Sequence, residues 1–336
     1  MKMLVTGGTG FLGQKLAFRL KNMGYEVTAT GRNKTIGKVL EQNGIEFVHC
    51  PLEDRDRVLQ VCKGKDYIFH SGALSSPWGK YEDFYNANVL GTKHIIEGCQ
   101  KYGIKRLIHV STPSIYFYYD ERQNVVENAK LPDTFVNHYA TTKHMAEQAI
   151  DQAFTHGLPV ITIRPRALFG PGDNAILPRL IKVCEKGALP RIGTENVLVD
   201  ITYVENVVDA LLLCMHSPKH TLGQKYNITN DERVNLYEVI ENVMKRLDKE
   251  VKYKKISYKT AFSLAAILEG ISKTILFGKE PILTKYTVSV LSKSQTLNID
   301  KAKEELGYAP KISIEEGITK FVDWWKYNEN QIFKAI

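Results

Sequence analysis

The chain has 336 residues, longer than one typical domain, so one large lobed unit or two domains is expected. Hydrophobic residues make up 43% and charged residues 24%, which excludes a disordered chain, and no uninterrupted apolar run reaches the ~18 residues a membrane span needs. The net charge of +8 suits anionic partners such as dinucleotide phosphates. The lysines are spread widely and no basic run is interleaved with aromatics, so no nucleic-acid partner is expected.

The first element is Met3-Leu4-Val5, a short apolar run that reads as a buried strand. It stops at Gly7, Gly10 and Gly13, in Gly-x-x-Gly-x-x-Gly spacing, before an amphipathic helix that opens at Phe11. Gly7 permits the sharp exit from the strand, Gly10 lets backbone approach a pyrophosphate, and Gly13 lets the helix pack close on the sheet. The helix N-terminus offers free N–H groups and partial positive charge to the anion. Alone, three glycines could be a tight turn; between a strand and a helix at residue 7 they point to dinucleotide binding.

Strands are then expected at Glu26–Thr30, Glu46–His49, Tyr67–His70, Arg106–Ser111 and Val160–Arg164. Helices are expected at Phe11–Met23, Lys34–Asn43, Arg55–Cys62, Tyr81–Tyr102 and His138–His156. This alternation predicts an α/β fold: a Rossmann-type, doubly wound parallel sheet whose strand C-termini carry the ligands on one edge. The dinucleotide-binding domain is expected over 1–165, with returning segments around 195–230, and a smaller, mainly substrate-binding lobe over 166–336. Five scattered cysteines (Cys50, Cys62, Cys99, Cys184, Cys214) with no metal spacing read as thiols of a reducing cytoplasm, with no metal site. The first strand begins at the second residue, which leaves no room for a signal peptide, so a cytoplasmic protein is expected.

The second strand ends Thr30-Gly31-Arg32-Asn33, where an NAD site would place a carboxylate for the ribose 2′-hydroxyl. Arg32 instead offers a fork of donors to a 2′-phosphate, which favours NADP over NAD unless it is a solvated surface Arg. The fourth strand runs into His70-Ser71-Gly72-Ala73, small residues that let backbone crowd a cofactor, with His70 read as a packed strand-end residue. An exposed loop, Leu74 to Gly79, carries Trp78. The fifth strand ends in Val110-Ser111-Thr112-Pro113-Ser114-Ile115-Tyr116, which is hydroxyl-rich. Tyr139 and Lys143 follow, four apart on one helix face. A free phenol has a pKa of about 10, and lowering it toward ~7 asks for roughly 4 kcal/mol of selective phenolate stabilisation, which an adjacent ammonium can help supply. Thr112, or else Ser111 or Ser114, would hydrogen-bond the reacting oxygen.

From Lys2 to about Lys326 these features together resemble the extended short-chain dehydrogenase/reductase superfamily of NAD-dependent epimerases and dehydratases: the glycine turn, His70–Ala73, Asn88-Val89-x-Gly91-Thr92, Thr112, Tyr139-x-x-x-Lys143 and Arg164-Pro165. Trp78-Gly79, Arg166-x-x-Phe169-Gly170-Pro171-Gly172-Asp173, Asp200-Ile201-Thr202-Tyr203-Val204-Glu205-Asn206 and Leu306-Gly307-Tyr308-x-Pro310 are similar to one branch, the 3β-hydroxysteroid dehydrogenase-like proteins and bacterial reductases of 2-alkyl-3-oxoalkanoic acids. The resemblance implies Tyr139 as acid/base, Lys143 on the ribose and lowering the tyrosine pKa, Thr112 polarising the carbonyl, and Asn88 holding a water relay. It implies a cofactor site of Gly7, Thr9, Gly10, Phe11, Leu12 and Gly13, with Arg32, Leu52, Ser71, Gly72, Ala73, Tyr139, Lys143 and Arg164. Substrate contacts would come from Ser75, Trp78, Ser114 and Tyr116. Pro51 stands where the family usually has Asp near the adenine, and Thr112 replaces the commoner Ser.

These features predict an NADP- or NAD-dependent oxidoreductase interconverting a secondary alcohol and a ketone on a bulky apolar or amphipathic substrate. The rivals are a nucleotide-sugar epimerase or dehydratase and a catalytically silent NADP-sensing protein. Sugar-nucleotide enzymes of the superfamily carry an Arg shortly before the segment matching Asp200–Tyr203 to clamp the diphosphate. Here Glu195-Asn196-Val197-Leu198-Val199 has no basic residue, although Arg191 lies a little upstream. In 252–279, Leu264, Ile267, Leu268, Ile271 and Ile275 recur at helical spacing, widened by Phe262, Leu276 and Phe277 and flanked by Lys252, Lys254, Lys255, Lys259 and Lys279. Such a stripe packs on the substrate lobe, makes a homodimer face, or lies in a lipid headgroup layer as a lid for substrate entry.

Overall fold

The computed structural model describes residues 1–193, 196–274 and 279–332; Glu195, Ile275, Leu276 and Phe277 lie outside them. Five strands come first, β1 (Lys2–Thr6), β2 (Glu26–Gly31), β3 (Glu46–His49), β4 (Tyr67–His70) and β5 (Arg106–Val110), each within a residue or two of expectation. Val160–Pro165 and Lys225–Ile228 complete a seven-stranded sheet in which every pairing is parallel. The order is Lys225–Ile228, Val160–Pro165, β5, β4, β1, β2, β3. Successive strands run outward from β1 on one side and from β4 on the other, so the ligand crevice of a doubly wound sheet opens at the C-termini of these two strands. Met3, Leu4 and Val5 are fully buried, as a strand covered by helices on both faces requires.

Helix α1 (Phe11–Asn22) buries Leu16, Ala17 and Leu20 on the sheet. It pairs with the later helix Val204–His216, where Arg19 donates to Glu205 at 2.6 Å and Asp209 at 2.9 Å. The first core also takes in Ile299, Ala302, Leu306 and Tyr308, beyond the 195–230 segment expected to return. A second core forms around Phe169, Ile181, Tyr237, Phe321 and Trp325. Beside it lies a four-stranded sheet ordered Arg233–Asn235, Leu198–Asp200, Gln295–Leu297, Arg122–Val125. Among the described residues no helix is long and apolar enough to cross a membrane.

One expected helix is broken. Tyr81–Phe84 passes through a π-helical turn, Tyr85–Leu90, before α-helix resumes at Gly91–Tyr102. Such wide turns cluster at functional positions, and this one presents Asn88.

Candidate active site

At the C-terminus of β1 the chain turns on Gly7, whose φ is +68°. A Cβ there would come within 2.7 Å of the Gly72 backbone, so Gly7 lets the ends of β1 and β4 touch. Gly72 N–H in turn donates to Thr6 Oγ1 (3.1 Å) and Ser71 Oγ to Thr6 O (2.7 Å). A Cβ on Gly13 would lie 2.2 Å from Gly7 O, so only glycine lets α1 start so close to the turn. Gly10 caps α1 with extended backbone and no side-chain hydrogen bond, is exposed, and a Cβ on it would have Gly7 O at 3.2 Å as its only neighbour. That open space beside the first N–H groups of a helix, at Gly10, Phe11, Leu12 and Gly13, fits a pyrophosphate. Thr9 packs under Gly31, and Leu52 under Gly72 and Gly91, so both shape the floor of the crevice. Arg32 is exposed at the end of β2; the neighbouring Asn33 caps the next helix by accepting from Ile36 N–H at 3.1 Å.

Tyr139 and Lys143 sit one turn apart on the helix His138–Thr155, which Asn137 caps by accepting from Ala140 N–H at 2.9 Å. Thr112 lies near enough to the Tyr139 hydroxyl to favour its ionised form. It also donates to Ser114 Oγ at 3.0 Å and accepts from Ser114 N–H at 3.1 Å. Of the three candidate hydroxyls, Thr112 is the one that acts on the phenol's ionisation. The expected lowering of the tyrosine pKa is not seen: burial pushes it up to about 12, and Thr112 offsets this only in part. Lys143 is itself buried and its ammonium donates to Val110 O at 2.7 Å. Desolvation pushes its pKa down to about 8, against the pull of Glu147.

Asn88 is committed differently from the water relay its motif implies. Its Oδ1 accepts from Leu74 N–H (2.7 Å), and its Nδ2 donates to Leu74 O (3.1 Å) and Thr142 Oγ1 (3.0 Å). The side chain thus ties the loop after β4, carrying Ala73, Ser75 and Trp78, to the helix of Tyr139 and Lys143. The same loop is braced at its far end, where the Tyr81 ring packs edge-on against His138 at 5.5 Å. His70 is a buried strand-end residue between Thr6 and Thr92, at 2.7 and 3.0 Å, and burial holds its pKa down to about 3.

Two assignments change. Arg164, expected at the cofactor, is buried; it donates from Nε to Glu147 Oε1 (2.8 Å), from Nη2 to Glu147 Oε2, and from Nη1 to Tyr116 and Glu127 O. Tyr116, expected at the substrate, is buried too, and its hydroxyl donates to Asn227 Oδ1 at 3.1 Å. Both support the sheet edge from beneath, because an unpaired guanidinium or phenol there would leave buried polar groups unsatisfied.

The structure adds an aromatic wall. Tyr286 lies close enough to Tyr139 to raise the phenol pKa. Its ring is 4.9 Å from that of Phe117, which continues to Tyr119 (6.1 Å), Phe262 (5.2 Å) and Tyr258 (5.4 Å). These five rings come from three separated segments, and no local spacing announces them. Arg191, the basic residue nearest the diphosphate-clamp position, is held between the Tyr237 and Tyr253 rings at 5.2 and 5.0 Å.

Residues 3–229 match the family described as NAD dependent epimerase/dehydratase family. The chain is 33% identical to a 2-alkyl-3-oxoalkanoate reductase of Stenotrophomonas maltophilia, covering 95% of this chain and 98% of that protein. It is 30% identical to the mouse sterol-4-alpha-carboxylate 3-dehydrogenase, decarboxylating, covering 96% and 90%. A UDP-glucuronic acid 4-epimerase from Bacillus cereus shares the fold with a TM-score of 0.77 at 21% identity, covering 97% of this chain and 96% of that one. With its glycine turn, Tyr139, Lys143 and Thr112 in place, the chain belongs to the NAD dependent epimerase/dehydratase family, as an NAD(P)-dependent oxidoreductase of the extended short-chain type.

Proposed function

We propose that the protein reduces a ketone to a secondary alcohol, or the reverse, on a bulky and mostly apolar substrate, a long-chain 3-oxo acid or a steroid-like ring system, with NADPH preferred. The observation that carries this reading is the Tyr139 hydroxyl, with Thr112 near enough to favour its ionised form, at the head of an aromatic wall. When bound, the nicotinamide supplies or accepts the hydride. The protein's own part is proton chemistry and placement. A phenol raised to about 12 stays protonated at working pH and can hand its proton to a carbonyl oxygen gaining negative charge. Thr112, near the phenol, would turn its hydroxyl from Ser114 to the reacting oxygen when substrate is bound. The buried ammonium of Lys143, one turn away, favours negative charge at the site and lies within the crevice for the ribose. Tyr119 and Tyr286, half-buried and backed by Phe117, offer stacking and edge contacts to an apolar body. The relatives' activities on 2-alkyl-3-oxoalkanoates and sterol-4-alpha-carboxylates support a substrate of this kind. Partners in this reading are the dinucleotide, the apolar substrate and a lipid surface.

The reading is tested by assaying NADPH and NADH against steroids, long-chain 3-oxo acids and nucleotide sugars. Turnover confined to the first two classes supports it. Low-micromolar binding of a nucleotide sugar, measured by calorimetry, would replace it with epimerase chemistry, although Arg191 is engaged by two tyrosine rings rather than presented to a diphosphate.

Two expectations follow from single residues. Arg32 would meet the 2′-phosphate with charge-assisted donors, and its exposure pulls the gain toward the low end. Arg32→Ala should weaken NADPH roughly tenfold and leave NADH nearly unchanged in fluorescence titrations. Equal losses would make Arg32 a general adenine-side contact. The pH profile should reveal Lys143: with its pKa at about 8, the ammonium is charged below that pH and lost above it, so kcat/KM for reduction should fall as pH rises through about 8. A profile flat to pH 10 would remove Lys143 from that role.

A further inference from the structure

The helix Tyr258–Thr274 is inside out for a helix of a protein core. Its fully buried positions are small, Ala261, Ala265 and Ser272. Its large aliphatics face away, Leu264 at 46% exposure, Ile267 at 60% and Ile271 at 38%, spaced three and four apart on one face. After the helix, Ile282 is fully exposed, and the adjoining turn is tied by Glu280 to Arg179 on the helix Leu177–Lys186, where Val183 is also exposed. Lys252, Lys254, Lys259 and Lys279, in the helix's first turn and the segments flanking it, are exposed. An apolar stripe flanked by ammonium groups matches the boundary of an anionic bilayer, where side chains enter the acyl region and lysines remain among the phosphates. A protein partner would need no such flank. The inward face of the same helix carries Tyr258 and Phe262, the outer end of the aromatic wall that begins beside Tyr139.

We infer that the outward face of Tyr258–Thr274 docks on an anionic lipid bilayer, and that apolar substrate passes from the bilayer along Phe262, Tyr119 and Tyr286 to Tyr139. The docking half stands on exposure and charge; the passage half rests on the proposed reading of the site as one for an apolar ketone.

The test uses the full chain and vesicles of phosphatidylglycerol and phosphatidylcholine, about 1:1, at ~20 mM salt. The wild type should co-float with these vesicles, detach at ~0.5 M salt, and ignore pure phosphatidylcholine. Leu264→Ser/Ile267→Ser/Ile271→Ser should lower the vesicle partition roughly tenfold or more, and Lys252→Glu/Lys259→Glu should lower it comparably at low salt. Thermal melts of both variants should match the wild type, since every altered side chain is exposed. A short water-soluble ketone should be reduced equally by wild type and stripe variant, while a long-chain ketone embedded in vesicles should be reduced more slowly by the variant alone. No wild-type binding at low salt, or binding unaffected by the stripe substitutions, overturns the inference. So does loss of a wild-type dimer in the stripe variant with vesicle binding absent, which would make this face a self-association surface. Vesicle binding without turnover of any ketone would leave the docking standing and remove the catalytic reading instead.

Discussion

Tyr139→Phe should reduce turnover by at least ~10²-fold while leaving the dissociation constant of the dinucleotide nearly unchanged. The phenol and phenyl rings have almost the same volume, so packing against the wall is kept and only the transferable proton is removed. Thr112 keeps its bonds to Ser114 and remains beside the reacting position. Lys143→Ala should behave otherwise and harm both turnover and cofactor binding, because in the proposed reading its ammonium serves ribose and phenol together. Single-turnover kinetics with a matched fluorescence titration would check both. If Tyr139→Phe retained more than about a tenth of the activity, another group would have to supply the proton.

The parallel sheet was legible because its strands are short apolar runs separated by helical periods, and the phosphate turn because glycine is required where backbones nearly touch. The placement of Tyr139 and Lys143 one turn apart on a single helix was legible for a similar local reason. What stayed hidden was non-local. The π turn that aims Asn88 has no sequence period of its own, and the aromatic wall draws on residues near 117, 258 and 286 that only the fold assembles. Arg164 and Tyr116 misled because a charged or phenolic residue at a strand end reads as a ligand contact, while burial alone decides whether it faces a ligand or another side chain. The direction of the tyrosine shift was missed for the same cause. Spacing announces the helpful ammonium but not the desolvation that outweighs it. The stripe of 264–271 was visible as periodicity, yet periodicity cannot say which face of a helix turns inward.

Glu147→Leu should cost about 3–5 kcal/mol of stability, because it strands Arg164 as an uncompensated charge in the interior. Glu147 and Arg164 are both almost wholly buried and joined by two hydrogen bonds, with Lys225 at 3.5 Å from the same carboxylate. Burial alone would raise the Glu147 pKa, but the Arg164 hydrogen bond and charge, helped by Lys225, outweigh it and hold the carboxyl below its ordinary value. The sign follows: a carboxylate with a depressed folded-state pKa contributes stability that is present above its unfolded value near 4.5 and is lost as pH falls below it. Denaturant melts of the wild type should therefore weaken in acid, and Glu147→Leu should flatten that part of the dependence. The double substitution Glu147→Leu/Arg164→Met removes both charges and restores an apolar fill, so it should be more stable than Glu147→Leu alone. A double variant no better than the single one would mean that the loss comes from the packing of the carboxylate stem rather than from the orphaned guanidinium, and the support beneath Tyr116 and the sheet edge would have to be assigned to shape instead of charge.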